Sequence, residues 1–365
     1  MEHFSSIWDI DRRGELRNRT WWWWWWLFVF KEPRGREKQL MCLLGTRNCK
    51  KVWVDDYVWR RDHPPKEDQG GLTYSGVAAA WYFDGENMHD PLLIDSGKGR
   101  IETNGEEGKV TLQGGSGSYD FIGKDGGKSF TLDLKNTDGS SPIDVNISTS
   151  MYDQHQSEIV PTGKNYVGKL AYKMFKVKRV DCSGSITMNG QRDDVEGSAY
   201  FQNVRINSPT SPWFWAFLHS ENGYYLDYFL PHWGLPIFRR GYSHKSILDR
   251  GWRKLSRGLH IYDPTDGKDY TIKNFKVEKE YVDDLPVFHL HGREGGKSID
   301  LELSTYSRAC WKIKQPWLGI SSTILHYNEY PCHITRLDYR CGPKRITLDD
   351  FGHTVGNLEH AWGMV

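Results

Sequence analysis

A chain of 365 residues is longer than one hydrophobic core usually serves, so we expect two domains. Its 48 Lys and Arg residues nearly balance 47 Asp and Glu residues, and no basic stripe is visible, which argues against a nucleic-acid partner. Aromatic residues make up 14% of the chain, a content typical of a strand-rich core or an apolar binding cavity.

Residues 1–19 are charged and lack the apolar stretch of a secretory signal. The six cysteines are scattered, without a Cys-x-x-Cys pair, so we expect free thiols and a cytoplasmic protein. His289 and His291 share a strand face but have no evident third ligand, and no phosphate-binding loop is present. We therefore expect no metal and no other cofactor. The sequence does not indicate an oligomeric state.

An apolar run with the sequence WWWWWWLFVF follows at 21–30. A membrane-spanning helix needs about 20 residues, and consecutive Trp residues suit a strand better than a helix. We therefore predict one continuous strand long enough to cross a large barrel, with Trp21, Trp23 and Trp25 on its ligand-binding side. The alternative is an interfacial anchor with peripheral membrane contact, although the charged helical face of such an anchor is missing.

The rest of the chain shows short apolar runs separated by turn dipeptides, and helical periodicity is nearly absent. Such dipeptides supply the positive φ that tight hairpins need, so they predict many short antiparallel strands. The dipeptides are Asp84-Gly85, Asn104-Gly105, Asp125-Gly126, Asp138-Gly139, Asn189-Gly190, Asn222-Gly223 and Asp266-Gly267.

The strand pattern lapses into an irregular, basic stretch at about 236–256 and resumes at Leu259. We interpret this stretch as a linker. It divides the chain into an N-terminal domain at 1–240, which would carry the aromatic cavity, and a smaller C-terminal domain at 250–365.

Three segments, taken in order, share the pattern of one known family. The first is the aromatic strand at 19–23 with the apolar run at 40–44. The second contains a Val-x-Gly strand at 195–200 and a Trp-x-Trp strand at 213–217. The third combines Tyr-Asn-Glu at 327–329 with Gly-x-x-Glu at 356–359. Together they resemble the two-domain lipocalin-like family of carotenoid 1,2-hydratases (hydroxyneurosporene synthases), with fungal Diels–Alderases as more distant relatives.

The resemblance extends from residue 19 to residue 363. It implies an all-β fold of two lipocalin-like antiparallel β-barrels in tandem. It also implies a ligand site in the first barrel and at its junction with the second. One position departs from the family: Gln202 stands where the hydratases have an aspartate that donates a proton to the polyene. Glutamine has no such proton, so we do not expect carotenoid hydration by the family's route.

Strand alternation decides which side chains can face a cavity together. On three strands after residue 194, one face of each carries aromatic and polar side chains, which suit an apolar ligand held by shape and stacking. The catalytic candidates are Asp227, His219 and Tyr200. The ligand-binding candidates on these strands are Gln202, Trp213, Trp215, Phe217 and Tyr225.

Asp227 is the best-placed acid, because a carboxyl buried among Trp rings can stay protonated near neutral pH. Aromatic faces also stabilise a carbocation of the kind that polyene protonation creates. The structural alternative is that these rings fill the barrel and that Asp227 caps a turn.

Two functions remain open, and both have a hydrophobic isoprenoid- or polyene-type small molecule as the partner. The first is an enzyme, either a hydratase-like lyase or a cyclase. It would act by proton-initiated hydration, cyclisation or isomerisation, or by shape-templated cycloaddition. The alternative is a non-catalytic intracellular carrier or sequestering protein.

Overall fold

The computed structural model contains two compact units, Met1–Pro209 and Thr210–Val365. Strands make up 76% of the structure and the helices are short, so the predicted all-β class is confirmed. The described residues are 3–8, 20–32, 35–47, 49–137, 142–151, 154–157, 159–167, 170–207, 212–234, 252–254, 258–317 and 321–363.

The first unit is built around a closed, ten-strand antiparallel barrel. Its elements are a 3₁₀ helix (Ser5–Ile7), β1 (Thr20–Phe30), β2 (Lys38–Arg47), β3 (Lys51–Val54), β4 (Tyr57–Arg60), β5 (Lys66–Asp68), β6 (Gly71–Phe83), β7 (Met88–Thr103), β8 (Gly108–Gly114), β9 (Gly117–Lys124), β10 (Ser129–Asn136), β11 (Ile143–Met151), α1 (Gln154–Ser157), β12 (Val160–Val167), β13 (Leu170–Met188) and β14 (Gln191–Asn207). The barrel closes because β11 pairs with both β10 and β13.

The Trp-rich run forms β1, as predicted, and pairs along its length with β2 and β14. Aromatic side chains favour this extended conformation because they pack well on a pleated surface. The even-numbered residues of β1 belong to the hydrophobic core of the unit. That core includes Trp22, Trp24, Trp26, Phe28, Phe30, Phe121, Phe130 and Phe201.

The second unit is one antiparallel sheet wrapped around its own core. Its elements are β15 (Trp213–Ser220), β16 (Tyr225–Gly234), β17 (Trp252–Lys254), β18 (Gly258–Asp263), β19 (Lys268–Ile272), β20 (Phe275–Val282), β21 (Leu285–Glu294), β22 (Lys297–Thr305), β23 (Ala309–Trp317), β24 (Ser321–Cys341), β25 (Lys344–Thr347), α2 (Leu348–Phe351) and β26 (Thr354–Gly363).

The strand order in this sheet is β19-β18-β16-β15-β26-β24-β22-β21-β20. Its two edge strands, β19 and β20, are consecutive in the chain and joined only by Lys273 and Asn274. Because so short a connection brings the two edges together, the sheet must curl back on itself, as a second barrel requires. Phe214, Leu226, Leu290 and Tyr330 lie in the enclosed core.

The division between the units lies earlier in the chain than the linker expected at about 236–256, of which the structure describes only residues 252–254. The reason is non-local pairing: β16 pairs with β18, with Tyr225 opposite Tyr262, and so joins the residues on both sides of that stretch in one sheet. Trp213 to Asp227 consequently belong to the second unit.

Among the predicted turn dipeptides, the glycines within the described residues all have positive φ, as tight turns require; Asp138-Gly139 lies outside the described residues. No helix in the described parts of the chain has the length and apolar character needed to cross a membrane.

Candidate functional site

The site residues expected on the first unit lie side by side on β1 and β14. Trp25 is the cross-strand partner of Gln202, and its ring meets the Tyr200 ring edge-on at 5.9 Å. The Tyr200 hydroxyl donates a long, 3.5 Å hydrogen bond to Gln202 Oε1. Trp23 and Trp21 follow on the same face, and the Arg47 guanidinium lies 4.0 Å from the centroid of the Trp21 ring.

This face is the one opposite the core of its unit, whereas we expected it to point into the barrel. The neighbours Trp24, Trp26 and Phe201 fill the interior instead. Alternation could not choose between the faces because both sides of a run of consecutive Trp residues are equally apolar.

The remaining predicted site residues share one face of the second unit. The alternate residues Phe214, Ala216 and Leu218 of β15 enter the core, so the intervening side chains lie on the other side of the sheet. Ring contacts connect those intervening side chains: Trp215 to Phe217 at 5.5 Å, Phe217 to His219 at 4.9 Å and His219 to Tyr225 at 5.9 Å.

Asp227 is buried on the neighbouring strand of this face, opposite Phe217. The Tyr225 hydroxyl donates a hydrogen bond of 3.0 Å to Asp227 Oδ2. The structure thus brings six of the predicted residues together: Trp213, Trp215, Phe217, His219, Tyr225 and Asp227.

Two further carboxyl groups, not predicted as catalytic, lie on the same face. Glu329 of β24 and Glu359 of β26 are direct cross-strand partners, and both side chains are buried. Trp213 Nε1 donates to Glu359 Oε2 at 2.7 Å, which connects the pair to the aromatic residues of β15. We call the set the acid–aromatic face; it consists of Trp213, Trp215, Phe217, His219, Tyr225, Asp227, Tyr327, Glu329, Asn357 and Glu359.

The hydroxyl of Tyr327 lies between the two glutamates. It is 2.6 Å from Glu359 Oε1 and also hydrogen-bonds Glu329 Oε1. A tyrosine hydroxyl has one hydrogen and can donate to only one of these oxygens. The other bond needs a carboxylic acid that donates to the tyrosine oxygen. Proton counting therefore places at least one acid proton on the Glu329–Tyr327–Glu359 group.

The electrostatics of the group agree with this count. Burial raises the pKa of Glu359 to about 7, against the opposing effect of hydrogen bonds from Tyr327 and Trp213. Burial and the two adjacent carboxyl groups hold the pKa of Tyr327 well above its usual value, so this side chain stays a neutral hydroxyl. A protonated carboxyl is thus available near neutral pH, as general acid catalysis requires.

Asn357 completes the arrangement. Its Nδ2 donates to Glu329 Oε2 at 2.8 Å, while its buried Oδ1 has no hydrogen-bond partner among the described residues. A buried acceptor of this kind is normally satisfied by water or by a ligand. Asn357 and Glu359 alternate on β26, so this acceptor and the acid face the same side.

Both glutamates lie in the third segment of the family pattern, but the sequence did not indicate that they form an acid pair. A signal was present: Tyr327 and Glu329, like Asn357 and Glu359, are two residues apart, so the members of each pair share one face of a strand. What the sequence could not show is that β24 and β26 pair with Glu329 opposite Glu359.

No protein-family model matches the chain, and no curated protein matches it in sequence. Solved structures share its fold. A candidate AttH protein from Nitrosomonas europaea has a TM-score of 0.52 at 11% identity, covering 94% of this chain and 92% of that one. CghA with Sch210972 has a TM-score of 0.52 at 7% identity, covering 94% and 88%. A weaker match, below the level that indicates a shared fold, is kievitone hydratase from Nectria haematococca, with a TM-score of 0.41 at 10% identity, covering 94% and 89%.

Proposed function

We propose that the second unit binds an apolar isoprenoid- or polyene-type molecule against the acid–aromatic face and transfers a proton to it from Glu359. The observation that carries this proposal is the contact of the Tyr327 hydroxyl with both Glu329 and Glu359, because one hydroxyl hydrogen does not serve two carboxylate oxygens. CghA, which has a similar fold, has been solved with the small molecule Sch210972, and this supports small-molecule binding as a use of the fold.

The chemistry follows from the neighbours of the acid. Protonation of a double bond leaves a carbocation, which the faces of nearby aromatic rings stabilise. Trp213 donates to Glu359, and its ring lies 5.9 Å from that of Tyr327. The cation would then lose a proton, close a ring or take up water. These outcomes correspond to isomerisation, cyclisation and hydration.

Asp227 has a different role in this proposal. Its carboxyl group accepts a hydrogen bond from Tyr225 and lies two strands away from Glu359 in the sheet order, because β15 separates β16 from β26. A negative charge at that distance stabilises the cation without donating the proton. Gln202, which lacks an acid proton, does not take part in the proton transfer.

The test is to incubate the purified chain with an acyclic carotenoid and, separately, with a shorter acyclic isoprenoid alcohol. Binding is followed by quenching of Trp fluorescence and turnover by mass spectrometry of the extracted lipid. A bound molecule that becomes isomerised, cyclised or hydrated is the expected result. A molecule that binds and is recovered unchanged supports the carrier instead, and the absence of binding by both probes contradicts both functions.

A further inference from the structure

A polar cluster lies on the core side of the second unit, away from the acid–aromatic face. Lys279 of β20 has its Nζ 3.4 Å from His360 Nδ1 of β26. Asn328 of β24 donates from Nδ2 to the backbone oxygen of His360 at 3.1 Å. Arg308, in the turn before β23, donates to Asn328 Oδ1 from Nε at 2.9 Å and from Nη2 at 2.7 Å. These contacts place an amine, an imidazole and a guanidinium in one continuous cluster.

The walls around this cluster are aromatic. Phe214 stacks on the His360 ring at 4.4 Å, and Phe288 meets the same ring edge-on at 6.4 Å. Phe288 is also the cross-strand partner of Lys279, and Tyr281 has its ring 5.6 Å from the Lys279 nitrogen. Lys279 itself is only partly buried, and its amine lies among these rings.

The charges that face Lys279 favour its neutral form. Burial, and then the nearby Arg308 cation, lower the pKa of Lys279 to about 7. Tyr281, on the same strand, stays a neutral hydroxyl because burial raises its pKa to about 12, and burial likewise raises the pKa of Tyr330 from β24. Arg308 also donates to Cys310 Sγ at 3.3 Å. Glu278 and Glu280 alternate with Lys279 and so lie on the opposite face of β20.

An amine placed among apolar rings beside another cation is the arrangement that makes lysine a nucleophile near neutral pH. The adjacent His360 nitrogen provides a proton acceptor and donor within hydrogen-bonding range. We propose that Lys279 is a covalent binding site for an apolar aldehyde, which it captures as a reversible imine.

The reaction balances without an oxidant or a reductant. The Lys279 nitrogen attacks the carbonyl carbon and forms a C–N bond, while the proton lost by nitrogen reaches the carbonyl oxygen through His360. The resulting hydroxyl then takes a proton from His360 and leaves as water when the C–O bond breaks. The nitrogen gives its remaining proton back to His360 as the C=N bond forms. Phe214 and Phe288 would pack against an apolar substituent of the aldehyde.

The test uses benzaldehyde, which has an aromatic ring and no acidic hydrogen next to the carbonyl, with cyanoborohydride to trap the imine. The complete chain is labelled at pH 7, and peptide mass spectrometry compares Lys279 with Lys276, an exposed lysine on the same strand. At this pH, a lysine with a pKa near 7 has on the order of a thousandfold more free amine than an ordinary lysine. Since a less basic amine is also less reactive, we expect Lys279 to be labelled roughly tenfold faster or more.

Three variants check the assignment. Lys279→Arg should lose the fast label, and Lys276→Arg should keep it. Arg308→Met should shift the pH of half-maximal labelling upward, because it removes the cation that disfavours the charged amine. Equal labelling of Lys279 and Lys276 in the wild-type chain would overturn the proposal without relying on any variant. Glu359→Gln should not change the labelling, so this result is independent of the proposed polyene chemistry.

Discussion

Replacement of Glu359 by glutamine is expected to lower polyene turnover by roughly 10²–10⁴-fold, the range typical for loss of a positioned general acid. Glutamine keeps the size of the side chain and can still accept from Trp213, but it has no acid proton. Binding of the polyene should change little, because the aromatic residues that contact it are unaltered. Turnover is measured by mass spectrometry of the product and binding by Trp fluorescence.

Asp227→Asn is the matched control, because it removes another buried carboxylate from the same face. Asp227 was the acid favoured by the sequence, so the two variants separate the two assignments. We expect a smaller loss for Asp227→Asn, which removes a charge that stabilises the cation but not the proton donor. If Asp227→Asn abolishes turnover and Glu359→Gln preserves it, the acid is Asp227 and our assignment is incorrect.

The pH dependence of turnover has a defined sign. Only the protonated Glu359 can donate, and burial raises its pKa to about 7. Turnover should therefore be high below this value and fall as the pH rises through it.

The same raised pKa means that the folded chain binds more protons at Glu359 than the unfolded chain does. Its contribution to stability is fully present below the unfolded pKa of glutamate and is lost as the pH rises through about 7.

Trp26→Ala is expected to reduce the free energy of unfolding of the first unit by about 3–5 kcal/mol, since it leaves a large cavity in a packed core. The Trp26 ring is 1% exposed and contacts four other rings. These are Phe28 at 5.4 Å, Phe121 at 5.5 Å, Phe130 at 5.5 Å and Phe201 at 4.6 Å. The measurement is urea unfolding followed by circular dichroism.

Trp23→Ala provides the control on the same strand. Its ring is only half-buried and lies on the opposite face, so its loss should cost about 1 kcal/mol. Equal losses for the two variants would contradict the assignment of the even-numbered residues of β1 to the core.

The all-β class could be predicted from local features of the sequence, whereas the two tandem barrels were implied by the family resemblance. The length of the Trp run and the turn dipeptides each indicate strands and hairpins without reference to distant residues. The choice of face on β1 could not be predicted, because Trp22 and Trp23 are equally apolar. The position of the division between the units could not be predicted either, because the pairing of Tyr225 with Tyr262 joins residues on both sides of the irregular stretch.

Alternation within one strand is visible in the sequence, so it predicts which aromatic side chains share a face of β15 and which share a face of β16. The acid pair could not be predicted, because Glu329 and Glu359 lie on separate strands and meet only through the register of β24 and β26. The Lys279–His360 contact likewise depends on the curvature of the sheet, which local sequence patterns do not predict.

The most direct test of the account is the protonation state of Glu359, read from the carboxylic-acid C=O stretch in infrared difference spectra of wild type minus Glu359→Gln. Spectra are recorded from about pH 5 to about pH 9, which spans the ordinary and the raised pKa. We predict a carboxylic-acid band that is present at low pH and disappears with a midpoint near pH 7. A carboxylate band at every pH in this range would contradict the account, because Glu359 would then have no proton to donate.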